Sequence, residues 1–114
     1  MKRIVVAIVL LLFILHPGLR AEDASYDTIS DYDFSGLDKE ISLDIREMDI
    51  NHFLKFLAIE GNLNIVTSNR VTGTINLLIN NVTIGDSLEI VLSMNNLAYE
   101  VKGNIIKIIT NAEY

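Results

Sequence analysis

Apolar and polar residues alternate over Ile41-Ser-Leu-Asp-Ile45, which puts Ile41, Leu43 and Ile45 on one side of an extended strand. The period then lengthens. Ile50, Phe53, Leu54, Leu57 and Ala58 fall at i, i+3, i+4, i+7 and i+8, the apolar stripe of a helix, and Asp49 stands where a side-chain oxygen can cap the first free amides. Met48 and Phe53 occupy the hydrophobic-staple positions around that cap, and Gly61 is predicted to close the helix in the left-handed conformation. Phe56 and Ile59 lie off the stripe. A helix this widely apolar predicts packing between two layers, the alternative being an exposed patch for a partner.

The order then repeats. Residues 62–67 (NLNIVT) predict a short second strand, and Gly73 precedes a third over residues 74–79, with Ile75, Leu77 and Ile79 on one face and Leu78 on the other. Asn80-Asn81 is predicted to turn the chain. Thr83 and Asp86 make a capping-box-like start to a second helix, whose core stripe is Ile84, Leu88, Val91 and Leu92, widened by Ile90 and Met94. Asn95-Asn96 supplies a left-handed stop. In the closing hairpin, a two-residue type II′ turn at Gly103-Asn104 predicts four opposed pairs: Lys102 with Ile105, Val101 with Ile106, Glu100 with Lys107, and Tyr99 with Ile108. That register collects Val101, Ile106, Tyr99 and Ile108 on one face and opposes two unlike charges on the other; a slip of one residue loses both features. The expected fold class is a small α+β domain with element order β-α-β-β-α-β-β.

The chain ends set the compartment and the charge. Lys2 and Arg3 precede an unbroken apolar run from Ile4 to Leu15, broken by His16-Pro17-Gly18. Twelve helical residues reach about 18 Å, short of a hydrocarbon core of roughly 30 Å. The segment therefore predicts a cleaved secretory signal over residues 1–21, the alternative being a retained membrane anchor. Residues 22–40 are acidic with scattered aromatics and read as a linker; residues 41–110 form the domain and 111–114 a tail. The whole chain of 114 residues carries a formal charge of -6. Its basic residues nowhere form the stripe that phosphate binding requires, so no nucleic-acid partner is expected.

Candidate chemistry is sparse. With no cysteine, disulfides, thiolate zinc sites and cysteine nucleophiles are absent. Beyond residue 21 His52 is the single histidine, it points off the apolar stripe, and it cannot supply two ligands of a zinc site. Asp31, Asp33, Ser35 and Gly36 match the first half of a calcium loop, but Ser42 stands where a bidentate glutamate should close it, and a plain acidic linker explains the residues as well. Each glycine from Gly61 onward that the pattern singles out has a turn or cap role, so no phosphate-cradling loop remains. No enzyme activity, cofactor, metal or small-molecule substrate is expected. A small domain without staples is marginal alone, which favours an interaction module.

The ordered set of these residues resembles the secretin and TonB N-terminal short domain, in its secretin-like version. The resemblance runs from Ile41 through Ile108. It is carried by Ile41-Ser-Leu-Asp, the Asp49-Ile50 helix start, Gly61-x-Asn-x-Ile65-Val66, Val71-x-Gly73, Asn81-Val82, Ser87-Leu88 with Leu92, Leu97-x-Tyr99 and Gly103-Asn104-Ile105-Ile106. Ile84 departs from the aromatic residue that many secretin versions carry there. The resemblance implies a periplasmic domain of two helices flanked by two small sheets. It also implies protein partners within a type II secretion or type IV pilus machine, association with secretin subunits, and a link to the outer membrane through those partners. The alternatives are a signalling domain of a TonB-dependent system and a truncated secretin fragment. Ser42, Asp44 and Arg46, outward on the first strand, are the first candidate partner contacts, because a partner strand can extend an exposed one. Phe56 and Ile59 are the second.

Overall fold

The computed structural model describes residues 28, 29 and 32–114, so the expected signal segment and Asp31 lie outside the described residues. The elements are a 3-10 turn (Ser35–Asp38), β1 (Glu40–Asp49), α1 (Ile50–Glu60), β2 (Asn64–Thr67), β3 (Thr74–Thr83), α2 (Ile84–Met94), β4 (Leu97–Lys102) and β5 (Ile105–Thr110). Two antiparallel strands, β1 and β3, form one sheet; the other has the order β2-β5-β4, with β2 parallel and β4 antiparallel to β5. The fold is the expected mixed α+β arrangement. One apolar core joins Phe53, Leu54 and Leu57 of α1 and Leu88, Val91 and Leu92 of α2 to Ile41, Ile45, Ile75 and Leu77 of the first sheet and Ile106 and Ile108 of the second.

The helix starts follow the expected chemistry. Asp49 accepts from the amides of Asn51 (2.8 Å) and His52 (3.4 Å), and Thr83 Oγ1 accepts from the amide of Asp86 (3.1 Å). The α1 stop differs from expectation: Gly61 has φ -93°, and Asn62, at φ 50°, takes the left-handed position. The amides of Asn62 and Leu63 then close on the carbonyls of Ile59 (3.3 Å) and Ala58 (2.8 Å), the paired bonds of a Schellman stop. Gly61 is instead constrained by packing. A Cβ on Gly36 of the 3-10 turn would overlap the carbonyl oxygen of Gly61, so the two backbones meet only because Gly36 has no side chain.

That contact corrects the reading of the acidic segment as a linker. Ile29 and Leu37 are buried in the core and Phe34 packs against it, while the amide of Ile29 donates to Glu89 Oε1 on α2 (2.7 Å). Three apolar residues among many acids are too sparse to show a period, yet each finds the core. Lys39 adds an ion pair to Glu60 at 2.9 Å. Ile90 (41% exposed) and Met94 (63%) are a second correction, since they stand in solvent rather than widening the α2 stripe.

A third correction concerns Asn80-Asn81. The strand runs through them, and Asn81, at φ 55°, absorbs an extra residue: Ile41 pairs with Val82 but Leu43 with Ile79. A mirror-image irregularity sits on β1, where Ile45 pairs with Leu77, Met48 with Ile75, and Glu47 has φ 51°. Each bulge reverses the in-out parity of its strand. Without them Glu47 and Asn81 would point into the core; with them Met48 and Val82 turn inward, half-buried. A side chain from the facing strand satisfies each displaced amide. Glu47 N–H donates to Asn76 Oδ1 (3.0 Å), and Asn81 N–H donates to Ser42 Oγ (3.0 Å), whose hydroxyl donates to Asn80 Oδ1 (3.0 Å).

The hairpin has the expected register at every pair, and Gly103 at φ 59° is the one turn residue in the left-handed half of the map, as type II′ requires. Among the described residues the ion pairs are Lys39–Glu60 and Asp44–Arg46, so Glu100 and Lys107 oppose one another without closing one. The residues after β5 turn back rather than trail away. Glu113 accepts from the Thr110 amide (3.0 Å) and the Ser68 hydroxyl (2.8 Å). The Thr110 amide first, then Ser68, hold its carboxyl below the ordinary glutamate range.

Two outcomes are expected. Gly36→Ala forces apart the 3-10 turn and α1 and lowers stability in urea melts by about 1–3 kcal/mol, the usual scale of an overpacked contact; an unchanged midpoint would mean the acidic segment does not dock. Because the folded pKa of Glu113 is depressed, its contribution is present above the unfolded pKa and lost as pH falls through the folded one. The Thr110 amide resonance should therefore titrate below the midpoint of an unperturbed glutamate, and Ser68→Ala should raise that midpoint.

Candidate docking surface

No group of three or more His, Asp or Glu gathers among the described residues, and His52 is exposed on α1. Every buried side-chain nitrogen and oxygen among them has a hydrogen-bond partner, so no polar atom waits for a ligand in the core. Of the half calcium loop, Ser35 and Gly36 belong to the docked 3-10 turn. None of the described helices is long and apolar enough to cross a membrane. The surfaces are therefore where function is sought.

The outward face of the β1-β3 sheet is the first. Alternation along β1 brings Asp44 and Arg46 outward, 3.7 Å apart and both well exposed, a pair whose net stabilisation in water is small. Ser42 is exposed too, but its hydroxyl is engaged in the β3 bulge. Opposite Asp44 in the register stands Leu78, 81% exposed. The sequence pattern had put Leu78 on the outer side of its strand without naming it as a contact; its partner across the ladder becomes visible only once the register is known. The face thus carries one large exposed apolar residue beside an exposed ion pair.

The second pair of candidates separates. Phe56 is half-buried against the core, which follows the expectation of a helix between layers, whereas Ile59 is 69% exposed. Both belong to α1 and not to the face that carries Asp44, Arg46 and Leu78.

A third feature was not anticipated. Between α1 and β2 runs a shallow groove in two parts that share Ala58 and Ile65: one of about 490 Å3 reaching Asn104 and Ile105, the other of about 170 Å3 reaching Asn51 and Thr67. Its signal in the sequence is faint, namely a small residue, Ala58, at the end of the α1 stripe beside a strand only four residues long.

These geometries were compared with known proteins. No protein-family model matches the chain. The type IV pilus biogenesis and competence protein PilQ of Neisseria meningitidis is 36% identical over 70 residues, which is 61% of this chain, and PilQ of Neisseria gonorrhoeae is 35% identical over 68 residues. The chain spans 9% of the length of these relatives. Among solved structures, the type IV competence pilus secretin PilQ of V. cholerae superposes with a TM-score of 0.58 at 28% identity, over 63% of this chain and 18% of that one. The N0 domain of the type II secretin from enterotoxigenic Escherichia coli shares the fold at 12% identity, with a TM-score of 0.56, over 61% of this chain and 93% of that one. The N-terminal domain of the secretin XcpQ from Pseudomonas aeruginosa does so at 16% identity and a TM-score of 0.58, over 64% of this chain and 37% of that one. The two helices and two sheets described here share the fold of secretin N-terminal domains, and 70 residues of the chain are homologous by sequence to a segment of the PilQ secretins.

Proposed function

We infer that this chain acts as a non-catalytic docking module in the periplasm, within a secretin-type outer-membrane assembly of the type IV pilus or type II secretion kind. The observation that carries this reading is the 36% identity to PilQ over 70 residues. The fold shared with N-terminal domains of both pilus and type II secretins supports it. The surface chemistry agrees: a domain without gathered reactive groups presents an exposed face to a protein partner.

That face is the β1-β3 sheet. Asp44, Arg46 and Leu78 project from one side of it, and the bulges at Glu47 and Asn81 hold the strands in the register that keeps them there. Leu78 supplies apolar area that gains from leaving water, while Asp44 and Arg46 set the orientation of the partner. Ser42 contributes by fixing the bulge, and Ile59 forms a separate contact on α1. The first apolar run of the chain serves as the export signal for this location.

The test is recovery of the tagged full chain, cross-linked in the envelope of its native host, from cells carrying either the parent chain or a Leu78→Asp/Arg46→Glu variant. The parent should retain a secretin or a pilus or secretion component. The variant should retain about tenfold less, the scale of losing one anchoring contact, with unchanged circular dichroism. Recovery of an anti-sigma regulator instead, or equal recovery by both chains, would overturn this reading.

A further inference from the structure

We propose that the groove between α1 and β2 is a second docking site, separate from the β1-β3 face, and that it takes an extended, acidic peptide segment of a protein partner as an added strand.

The backbone provides the first half of the argument. Among the described residues β2 pairs only with β5, which leaves its other edge unpaired. The amide of Ser68, just past β2, donates to Ile108 of β5 at 2.9 Å. Backbone groups alternate sides along a strand, so the amides and carbonyls of Ile65 and Thr67 face away from β5 and into the groove. Such groups are a template for a further strand. The edge is also held ready: Ser68 is fixed by β5 on one side and by Glu113 on the other, so little ordering is left to oppose binding.

The lining selects the occupant. On the inner side α1 presents Ala58, a small side chain that leaves room, and the half-buried Ile65 forms an apolar floor. On the outer side Val66 (48% exposed) offers apolar area to the incoming strand. Among the described residues the single charged side chain on the groove is Lys55, in a chain whose formal charge is -6. A local positive charge on an acidic protein attracts a carboxylate and repels a lysine at the same place. An extended segment with apolar residues at alternate positions and one acidic residue near Lys55 satisfies all of these features.

The test uses the full chain and two fluorescein-labelled heptapeptides, Ser-Val-Thr-Val-Glu-Val-Ser and the same peptide with lysine for glutamate. By fluorescence anisotropy the glutamate peptide should bind about fivefold more tightly, as expected for one partly exposed charge contact, and Lys55→Glu should reverse the preference. Ala58→Arg, at a half-buried helix position, should abolish binding of both while leaving the circular dichroism spectrum unchanged. Amide hydrogen exchange gives a readout independent of these variants: Ile65 and Thr67 should become protected on saturation, and Leu78 should not respond. Absence of that protection overturns the proposal, as does binding indifferent to both variants. A concentration-dependent dimer of the chain alone that Ala58→Arg dissolves would overturn it too, since a second copy would then own the groove. The outcome is independent of the envelope recovery experiment, which concerns Leu78 and Arg46.

Discussion

Two short helices whose apolar residues must leave water share one core with two small sheets, and the rest of the structure follows from that constraint. Phe53, Leu54 and Leu57 of α1 and Leu88, Val91 and Leu92 of α2 are all but withdrawn from water. Burying them on both sides contributes most of the stability available to so small a domain. Five strands divided into sheets of two and three supply that cover, but an open sheet has two edges. The same partition that makes the core possible therefore leaves unpaired strand edges at the surface. Core and docking capacity have one origin.

The β1-β3 sheet shows how narrowly the cover is matched to its sequence. Ten-residue strands with strict alternation would bring Glu47 and Asn81 inward, and each charge or amide would lose its hydration without a partner. One bulge on each strand moves both outward and brings in Met48 and Val82 instead. Glu47 and Asn81 hold left-handed backbone angles, which non-glycine residues rarely adopt, and the hydrogen bonds that their amides donate to Asn76 Oδ1 and Ser42 Oγ hold them there. Ser42 thus serves the register first; any contact it makes with a partner is secondary to that duty.

Much of this was legible in the sequence, and the exceptions share a cause. Both helix starts, the β4-β5 register and the element order rest on interactions between residues close along the chain, which spacing and residue type reveal. The bulges depend on Asn76 meeting Glu47 and on Ser42 meeting Asn81, pairs separated by 29 and 39 positions, so a local reading turned the chain at Asn80-Asn81. Gly61 was assigned a left-handed stop because its constraint comes from Gly36, distant in sequence and close in space. The acidic segment hid Ile29, Phe34 and Leu37 for a similar reason: solitary apolar residues carry no period, and only the finished core shows where they fit. The candidate contacts divided along the same line. Asp44 and Arg46 follow from strand alternation alone, whereas Leu78 needed the register and the Ala58 groove needed the tertiary placement of α1.

The edges are not equivalent as templates for strand addition, and the difference separates the two kinds of recognition. On β1 and β3 the bulges interrupt the regular ladder, and an ion pair and two asparagines crowd its outer face; interruptions and charges of this sort are how proteins discourage indiscriminate edge pairing. On the reading proposed above, a partner there would be read by side chains, with Leu78 as the exposed apolar residue. β2 has no bulge, carries no charged residue of its own, and is backed by a small residue on the neighbouring helix. A partner in the proposed groove would be read by backbone hydrogen bonds, with Lys55 selecting the charge. Side-chain recognition discriminates among folded surfaces, while backbone recognition accepts any extended segment of suitable charge. With both proposed sites, the domain would hold a folded neighbour and a flexible tail at once, and joining the two by one chain would raise the effective concentration of the second without any new contact.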